Sequence, residues 1–298
     1  MQHGSLKFKK IVVATDLSHI SSSALRYAQA LAVFHHAALY VVHVIDPMAY
    51  AFPSGEPSFY AADQAAREEL RRIEEQTRFM GIPVHSAVET GTICERILEA
   101  VKNSDADLLM LGTQGKTEAG RVALGKIARR LLAKAPCPVM TVSPGAEASL
   151  PWAGCWRRVL AATDFSTASI SALQCAHQLA LRQLIALHVP GCPGDSDRDC
   201  SCCKGRLRFI APFNESHTVP IEHVVIPGNA GETIAECAQK YGVDLVVLGS
   251  PANELAEEDL ETSTVLQVIS SVTCPVLCVP ATHRSIENAD VIQEVTFA

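Results

Sequence analysis

A chain of 298 residues, 48% hydrophobic and 5% aromatic, is long enough to bury a sizeable core and suits two domains. Its formal charge of −7 argues against general binding to nucleic acid or to an anionic membrane surface. Residues 1–10 lack the apolar segment of a secretory signal and no apolar run reaches membrane-spanning length, so the expected compartment is the cytoplasm.

In chain order, Lys9 to Asp16 reads as a short buried strand ending in an acid. Ser18 and Ser21 to Ser23 offer helix caps, and Ala24, Leu25, Ala28, Leu31 and Ala32 form an apolar helical face behind them. Leu39 to Ile45 is a second strand, followed by a turn-rich loop with Pro47, Pro53, Gly55 and Pro57. Phe59 to Met80 predicts a charged amphipathic helix stopped by Gly81. Val84 to Val88 is a third strand. Thr92 and Glu95 have the spacing of a capping box, opening a helix to about Asn103. Asp107 to Leu111 is the fourth strand and Val139 to Val142 the fifth. Strands alternating with helices predict an α/β fold with a parallel, doubly wound sheet.

Between the fourth and fifth strands lie Gly112, Gly115 and Gly125, then Ile127, Leu131 and Leu132 at helical spacing. A strand, a glycine-bearing loop and a helix start can set bare N–H groups and a positive helix end against a phosphate. The loop also carries Lys116, Arg121 and Lys126 against one acid, Glu118.

The pattern then repeats. Arg158 to Ser166 answers Lys10 to Ser18, and Leu187-His188-Val189 answers Val42-His43-Val44. Gly228 to Ile234 answers Gly91 to Ile97, Val243 to Gly249 answers Ala106 to Gly112, and Thr273 to Val276 answers Pro136 to Val139. The expected domains are residues 1–143 and 157–282, joined by a Pro- and Gly-bearing linker at 144–156 and followed by a tail at 283–298. The copies differ where chemistry would occur. Ala252 and Thr262 replace Gly115 and Gly125, while Ser263 stands where the first copy has Lys126. The second loop holds Glu254, Glu257, Glu258, Asp259 and Glu261 and no base. Each close carboxylate–phosphate pair there is repelled by about 1 kcal/mol or more even in a water-like dielectric. The second site therefore reads as degenerate for nucleotides.

The run Gly112-x2-Gly115-x9-Gly125, with Pro136-Cys137-Pro138-Val139 behind it, resembles the universal stress protein family, and the resemblance covers nearly the whole chain, twice. Nucleotide-binding members carry Ser or Thr after the third glycine, where this chain has Lys126. The resemblance implies strand order 3-2-1-4-5 in each domain. It also implies that the last strands, Val139 to Val142 and Val276 to Val279, pair across the two copies as an internal pseudo-dimer. In that order the crevice at the switch point lies between Asp16 and Gly112. The family's adenosine and phosphate contacts, carried over, fall on Thr15, Asp16, Val44, Leu111, Gly112, Gln114, Gly115, Gly125, Lys126 and Ile127. Asp16 would accept from ribose or adenine, or else cap its own turn. Lys126 would replace a hydroxyl contact by a cation–phosphate one.

No GxxxxGK[ST] loop, GxGxxG fingerprint or GxSxG elbow is present. The expected function is a cytoplasmic stress-response module that binds an adenine nucleotide, ATP foremost, in its first domain, with slow turnover at most. A homodimer of the tandem chain and an unidentified protein partner are further expectations. The alternative is a scaffold or sensor that binds no nucleotide and acts through a Cys-rich loop in the second copy. There Cys192, Cys200, Cys202 and Cys203 could supply thiolates to zinc, with His188, His217 or His223 as substitutes, or could act as redox thiols. Cys94, Cys137, Cys175, Cys237, Cys274 and Cys278 fall in apolar runs and are expected as buried thiols. His43 and His188, at equivalent positions, are expected as packing residues rather than catalysts.

Overall fold

The computed structural model of the protein describes residues 6–18, 21–50, 58–113, 124–144, 146, 150–151, 155–191, 197–212, 219–250 and 263–281. The first half alternates β1 (Lys10–Ala14), α1 (Ser22–His35), β2 (Ala38–Ile45), α2 (Phe59–Phe79), β3 (Val84–Thr90), α3 (Ile93–Ser104), β4 (Leu108–Gly112), α4 (Lys126–Lys134) and β5 (Val139–Val142). The second half repeats the order with β6 (Trp156–Ala162), α5 (Thr167–Leu179), β7 (Ala180–His188), α6 (Asp197–Ile210), β8 (Ile221–Val225), α7 (Ala230–Tyr241), β9 (Leu245–Gly249), α8 (Thr264–Ser271) and β10 (Val276–Val279).

The strands join in one ten-stranded sheet, in the order β3-β2-β1-β4-β5-β10-β9-β6-β7-β8. Each half is thus a parallel 3-2-1-4-5 unit, and the halves meet through an antiparallel pairing of β5 and β10. Leu277 stands opposite Met140 and Cys278 opposite Val139. All eight residues of these two strands are buried. Left unpaired, each strand would be an apolar edge open to another chain. Pairing them within one chain removes both edges and buries side chains worth about 1.5–3 kcal/mol each.

Helices cover both faces of the sheet, and the core accordingly has two layers that run across both halves. One layer holds Ile11, Leu31, Met110, Met140, Leu277 and Val247; the other holds Val12, Leu109, Leu131, Val139, Val276 and Val268. Apolar residues on both faces of each inner strand follow from this sandwiching. The halves are also tied by polar contacts. The buried Trp156 indole donates to the Tyr27 hydroxyl of α1 at 2.9 Å, and Ser143 Oγ donates to the Thr273 carbonyl at 2.8 Å. Among the described residues, no helix is long and apolar enough to cross a membrane.

Two local expectations change. Thr92 occupies the N-cap of α3, but its side chain makes no capping bond; the backbone carbonyl alone accepts, from Arg96 N–H. Its counterpart Asn229 does cap α7, accepting from Glu232 N–H at 3.2 Å. The Cys-rich segment, expected as a loop, is helical from Asp197 to Ile210. Cys203, Leu207, Ile210 and Ala211 recur at helical spacing, Leu207 is fully buried, and the helix lies on β7 and β8 as α2 lies on β2 and β3.

Candidate functional site

The switch point of each half lies where the chain leaves its first strand in one direction and its fourth in the other. In the first half Ala14 is paired with Leu111, so the turn after β1 and the loop after β4 start side by side. The turn is built by its own side chains. Thr15 Oγ1 accepts from Leu17 N–H at 3.0 Å and shares a hydrogen bond with Ser21 Oγ at 2.8 Å. Asp16 Oδ1 accepts from Ser18 N–H at 3.0 Å, and Leu17 takes a left-handed φ of 59°. The Asx-turn role of Asp16 is therefore realised.

The second half copies this turn bond for bond. Thr163 Oγ1 accepts from Phe165 N–H at 2.9 Å, Asp164 Oδ1 accepts from Ser166 N–H at 2.9 Å, and Phe165 has φ 66°. The histidines explain why the turns superimpose. His43 Nδ1 lies 2.9 Å from the Thr15 carbonyl, and His188 Nδ1 lies 2.8 Å from the Thr163 carbonyl. Each imidazole thus ties the second strand of its half to the turn after the first. Packing was the expected role; support of the turn is a role that sequence reasoning missed, and the repeat of the two histidines was its signal.

The helices after the fourth strands differ. In the first half, Gly125 is the N-cap of α4 and no side chain caps it. Among the described residues a Cβ built on Gly125 would meet nothing within 4 Å, and its φ is an ordinary −60° that any residue adopts. The first N–H groups of α4 carry a partial positive charge. Lys126, the first helical residue, is exposed and makes no ion pair among the described residues. Leu124 and Ala128 belong to the same core layer as Val44 and Leu111. Of the carried-over positions, Thr15, Asp16, Val44, Leu111 and Gly112 lie at or just beyond the ends of the adjacent strands β1, β2 and β4, and Gly125, Lys126 and Ile127 open α4. Val44 and Leu111 are buried, so they can offer backbone rather than side chains, and Ile127 is exposed. Gln114 and Gly115 lie outside the described residues.

In the second half the corresponding end has a side-chain cap. Ser263 is the N-cap of α8, and its hydroxyl accepts from Leu266 N–H at 3.4 Å. Gly249 has a packing reason: a Cβ there would stand 2.5 Å from Ser169 N and 2.7 Å from the Ala168 carbonyl carbon, at the start of α5. The crevice nonetheless persists as a cavity of about 270 Å³, lined by Asp164, Ser166, Ser169, Val189, Ile234 and Ser263 among others.

Of the four cysteines expected as zinc donors, the structure describes the side chains of Cys202 and Cys203. Cys192 lies outside the described residues, as does the Cys200 side chain. Cys202, exposed, and Cys203, half-buried, are consecutive on α6, where successive side chains diverge by about 100°. His188 is committed to the Thr163 carbonyl, His223 Nε2 lies 2.8 Å from the Ala211 carbonyl, and His217 is outside the described residues. Among the described residues no three His, Cys, Asp or Glu side chains come together as a metal site. The six apolar-run cysteines, Cys94, Cys137, Cys175, Cys237, Cys274 and Cys278, are all buried. Burial pushes the Cys175 and Cys278 thiols up to about 12.

Comparison with known proteins agrees with this architecture. The model of the universal stress protein family matches residues 7–143 and 212–280. A universal stress protein of Methanocaldococcus jannaschii is 30% identical over 146 residues, covering 48% of this chain and 86% of that protein. One from Thermus aquaticus is 36% identical over 140 residues, covering 45% of this chain and 98% of that protein. Each covers a little under half of this chain. A crystal structure of a universal stress protein from Archaeoglobus fulgidus covers 91% of this chain and 96% of its own, with a TM-score of 0.71 at 19% identity. Its fold therefore includes both halves. The chain belongs to the universal stress protein family.

Proposed function

We propose that the first domain binds an adenine nucleotide, ATP foremost, and that the protein is a cytoplasmic stress-response module with little or no turnover. The observation that carries this reading is the contrast between α4 and α8. Among the described residues no side chain caps the first helix and a Cβ on the glycine before it would meet nothing within 4 Å; the second helix is capped by its own serine. A phosphate at the first helix would receive the unsatisfied N–H groups and the positive helix end, with Lys126 as a charge-assisted donor. In this reading the Thr15–Asp16 turn and the end of β2 would meet the nucleoside, with backbone groups supplying most of the contacts. The Asp16 carboxylate is engaged in its turn, which supports slow hydrolysis.

Calorimetric titration of the full chain with ATP tests the reading, together with heat release and analysis of any nucleotide that copurifies. A dissociation constant below about 1 mM is expected. Gly125→Ser separates ligand from fold. Its φ −60°, ψ 155° suits serine, so the variant should fold with unchanged or slightly raised stability while its hydroxyl occupies an N–H that the phosphate would use. ATP affinity should fall about tenfold, the equivalent of one charge-assisted hydrogen bond. Absence of ATP binding by the wild type at millimolar concentration, or an unaltered affinity in Gly125→Ser, would overturn the reading.

A further inference from the structure

The ten-stranded sheet ends on β3 at one side and on β8 at the other. An open edge is a row of unpaired N–H and C=O groups, and proteins usually blunt it with a bulge, a proline, a lysine or a very short strand. β3 has none of these devices. It runs for seven residues, pairs with β2 along its whole length without a shift of register, and holds neither proline nor lysine. Its ladder to β2 uses alternate residues. Leu39 N–H donates to the Pro83 carbonyl and Gly91 N–H donates to the Ile45 carbonyl, so the odd-numbered residues turn their backbone groups toward β2. Val84, Ser86, Val88 and Thr90 therefore turn theirs outward, and no described residue takes them up. The neighbouring helix leaves room beside this edge. A groove of about 340 Å³ runs along Ser86, Ala87 and Val88, walled on the α2 side by Arg67, Arg71 and Glu74.

We propose that this edge is the interface of a homodimer, in which β3 pairs antiparallel with β3 of a second copy about a two-fold axis through Ala87. Backbone pattern and charge select this register independently. Centring on Ala87 sets Val84 opposite Thr90 and Ser86 opposite Val88, so every outward N–H and C=O of the strand finds a partner. Moving the axis to Ser86 or to Val88 would set Thr90 against Ile82, or Val84 against Thr92, both beyond the strand. The same register places His85 opposite Glu89 of the second copy, once on each side of the axis. These are non-hydrogen-bonded positions, where facing Cα atoms approach to about 4.5 Å and side chains are closest. Ala87 meets its own copy on the axis, where a small side chain fits. His85 is exposed, and its ring rests against that of Tyr40 on β2 with 4.8 Å between centroids. On the opposite face of the strand the groove offers charges of both signs to the second copy's α2. The edge at β8 does not match itself. There Leu184 N–H donates to Pro220 and Ile226 N–H donates to His188, so Ile221, His223 and Val225 turn outward. A two-fold through His223 sets Glu222 against Val224, with no opposite charge across the axis. β5 and β10 are already paired with each other, which leaves β3 as the self-complementary edge. This inference does not rest on nucleotide binding in the first domain.

Sedimentation equilibrium of the full chain reads the association, and a dimer is expected at about 50 µM. His85→Glu sets like charges opposite each other on both sides of the axis and should weaken the dimer at least about fivefold. The position is exposed on an edge, so the variant should melt as the wild type does. The double variant His85→Glu/Glu89→Lys reverses both partners and should restore the dimer, although it too lacks the imidazole. Ala87→Cys should link two copies at position 87 under oxidised glutathione, as peptide mass spectrometry reads apart from the native thiols. Thr90→Cys, which faces Val84 in this register, should not link to itself. Five results would each overturn the inference: a monomer at about 200 µM, growth into open filaments through β3 on β8, wild-type affinity in His85→Glu, no recovery in the double variant, or linkage at position 90 without linkage at 87.

Discussion

Thr113 and Ser250 follow the fourth strands of the two halves at equivalent positions, and their removal should have opposite consequences. Ser250, 5% exposed, donates its hydroxyl to the Leu132 carbonyl of α4, across the interface between halves, at 2.9 Å. The helix cannot supply that bond itself. The donor four residues on would be residue 136, which is proline and has no N–H. Ser250→Ala therefore leaves a buried carbonyl without a partner, at a cost of about 1–3 kcal/mol. Thr113, 3% exposed, has a hydroxyl with no hydrogen-bond partner among the described residues. Thr113→Val keeps the shape and removes that unpaired group, so the folded state should gain up to about 1 kcal/mol. Urea unfolding of the full chain reads both. With a slope of about 3 kcal/mol per molar, Ser250→Ala should lower the midpoint by about 0.3–1 M, and Thr113→Val should leave it in place or raise it. Equal destabilisation by the two would show that the Thr113 hydroxyl has a partner after all. No loss in Ser250→Ala would show that the cross-interface bond contributes nothing net.

Gly249→Ala should cost about 1–3 kcal/mol, because the new methyl meets α5 backbone at 2.5–2.9 Å rather than a movable side-chain end; a midpoint within error of wild type would refute the packing reason given for that glycine. Brief alkylation of the native protein at pH 8, read by peptide mass spectrometry, should label the exposed Cys202 and spare Cys137, Cys175, Cys274 and Cys278, whose thiols burial pushes up to about 12. The same shifts give a pH dependence. Unfolded thiols ionise near about 8.5, so between that pH and about 12 the unfolded chain binds fewer protons than the folded one. Stability should therefore fall as pH rises through that window. A Cys175→Ala/Cys278→Ala variant should show a shallower alkaline loss in urea midpoint, and an identical slope would refute the assignment.

The alternation of apolar strands with helices, the second copy and the buried thiols were legible because each rests on local pattern. The pairing of β5 with β10 was legible as well, since two short apolar edges in one chain need cover, whereas its register, Met140 opposite Leu277, was not. What was not legible depends on tertiary placement. The Asp, Gly and Pro residues around Cys192 signal a turn, yet Leu207 and Ile210 have a strand pair to bury against, and that burial makes α6 a helix. Thr92 has the right residue type and spacing for a cap, but its hydroxyl does not meet the α3 N–H groups. The second cavity was hidden for another reason. A glycine count reports on phosphate approach, whereas the cavity exists because α5, α7 and α8 leave space over the ends of β6 and β9.

The glycines themselves divide along the same line. Gly249 survives in a half that has lost the other two, and its neighbours say why: the start of α5 lies so close that any side chain would strike backbone. Gly112 ends β4, which packs against α1, as Gly249 ends β9, which packs against α5. Among the described residues Gly125 has no such neighbour. Its counterpart Thr262 follows the acidic run and precedes the serine that caps α8. This half keeps the packing glycine, the Thr-Asp turn and the supporting histidine while Ala252 and Thr262 replace the other two motif glycines, so the positions that serve the fold persist where the phosphate pattern is lost.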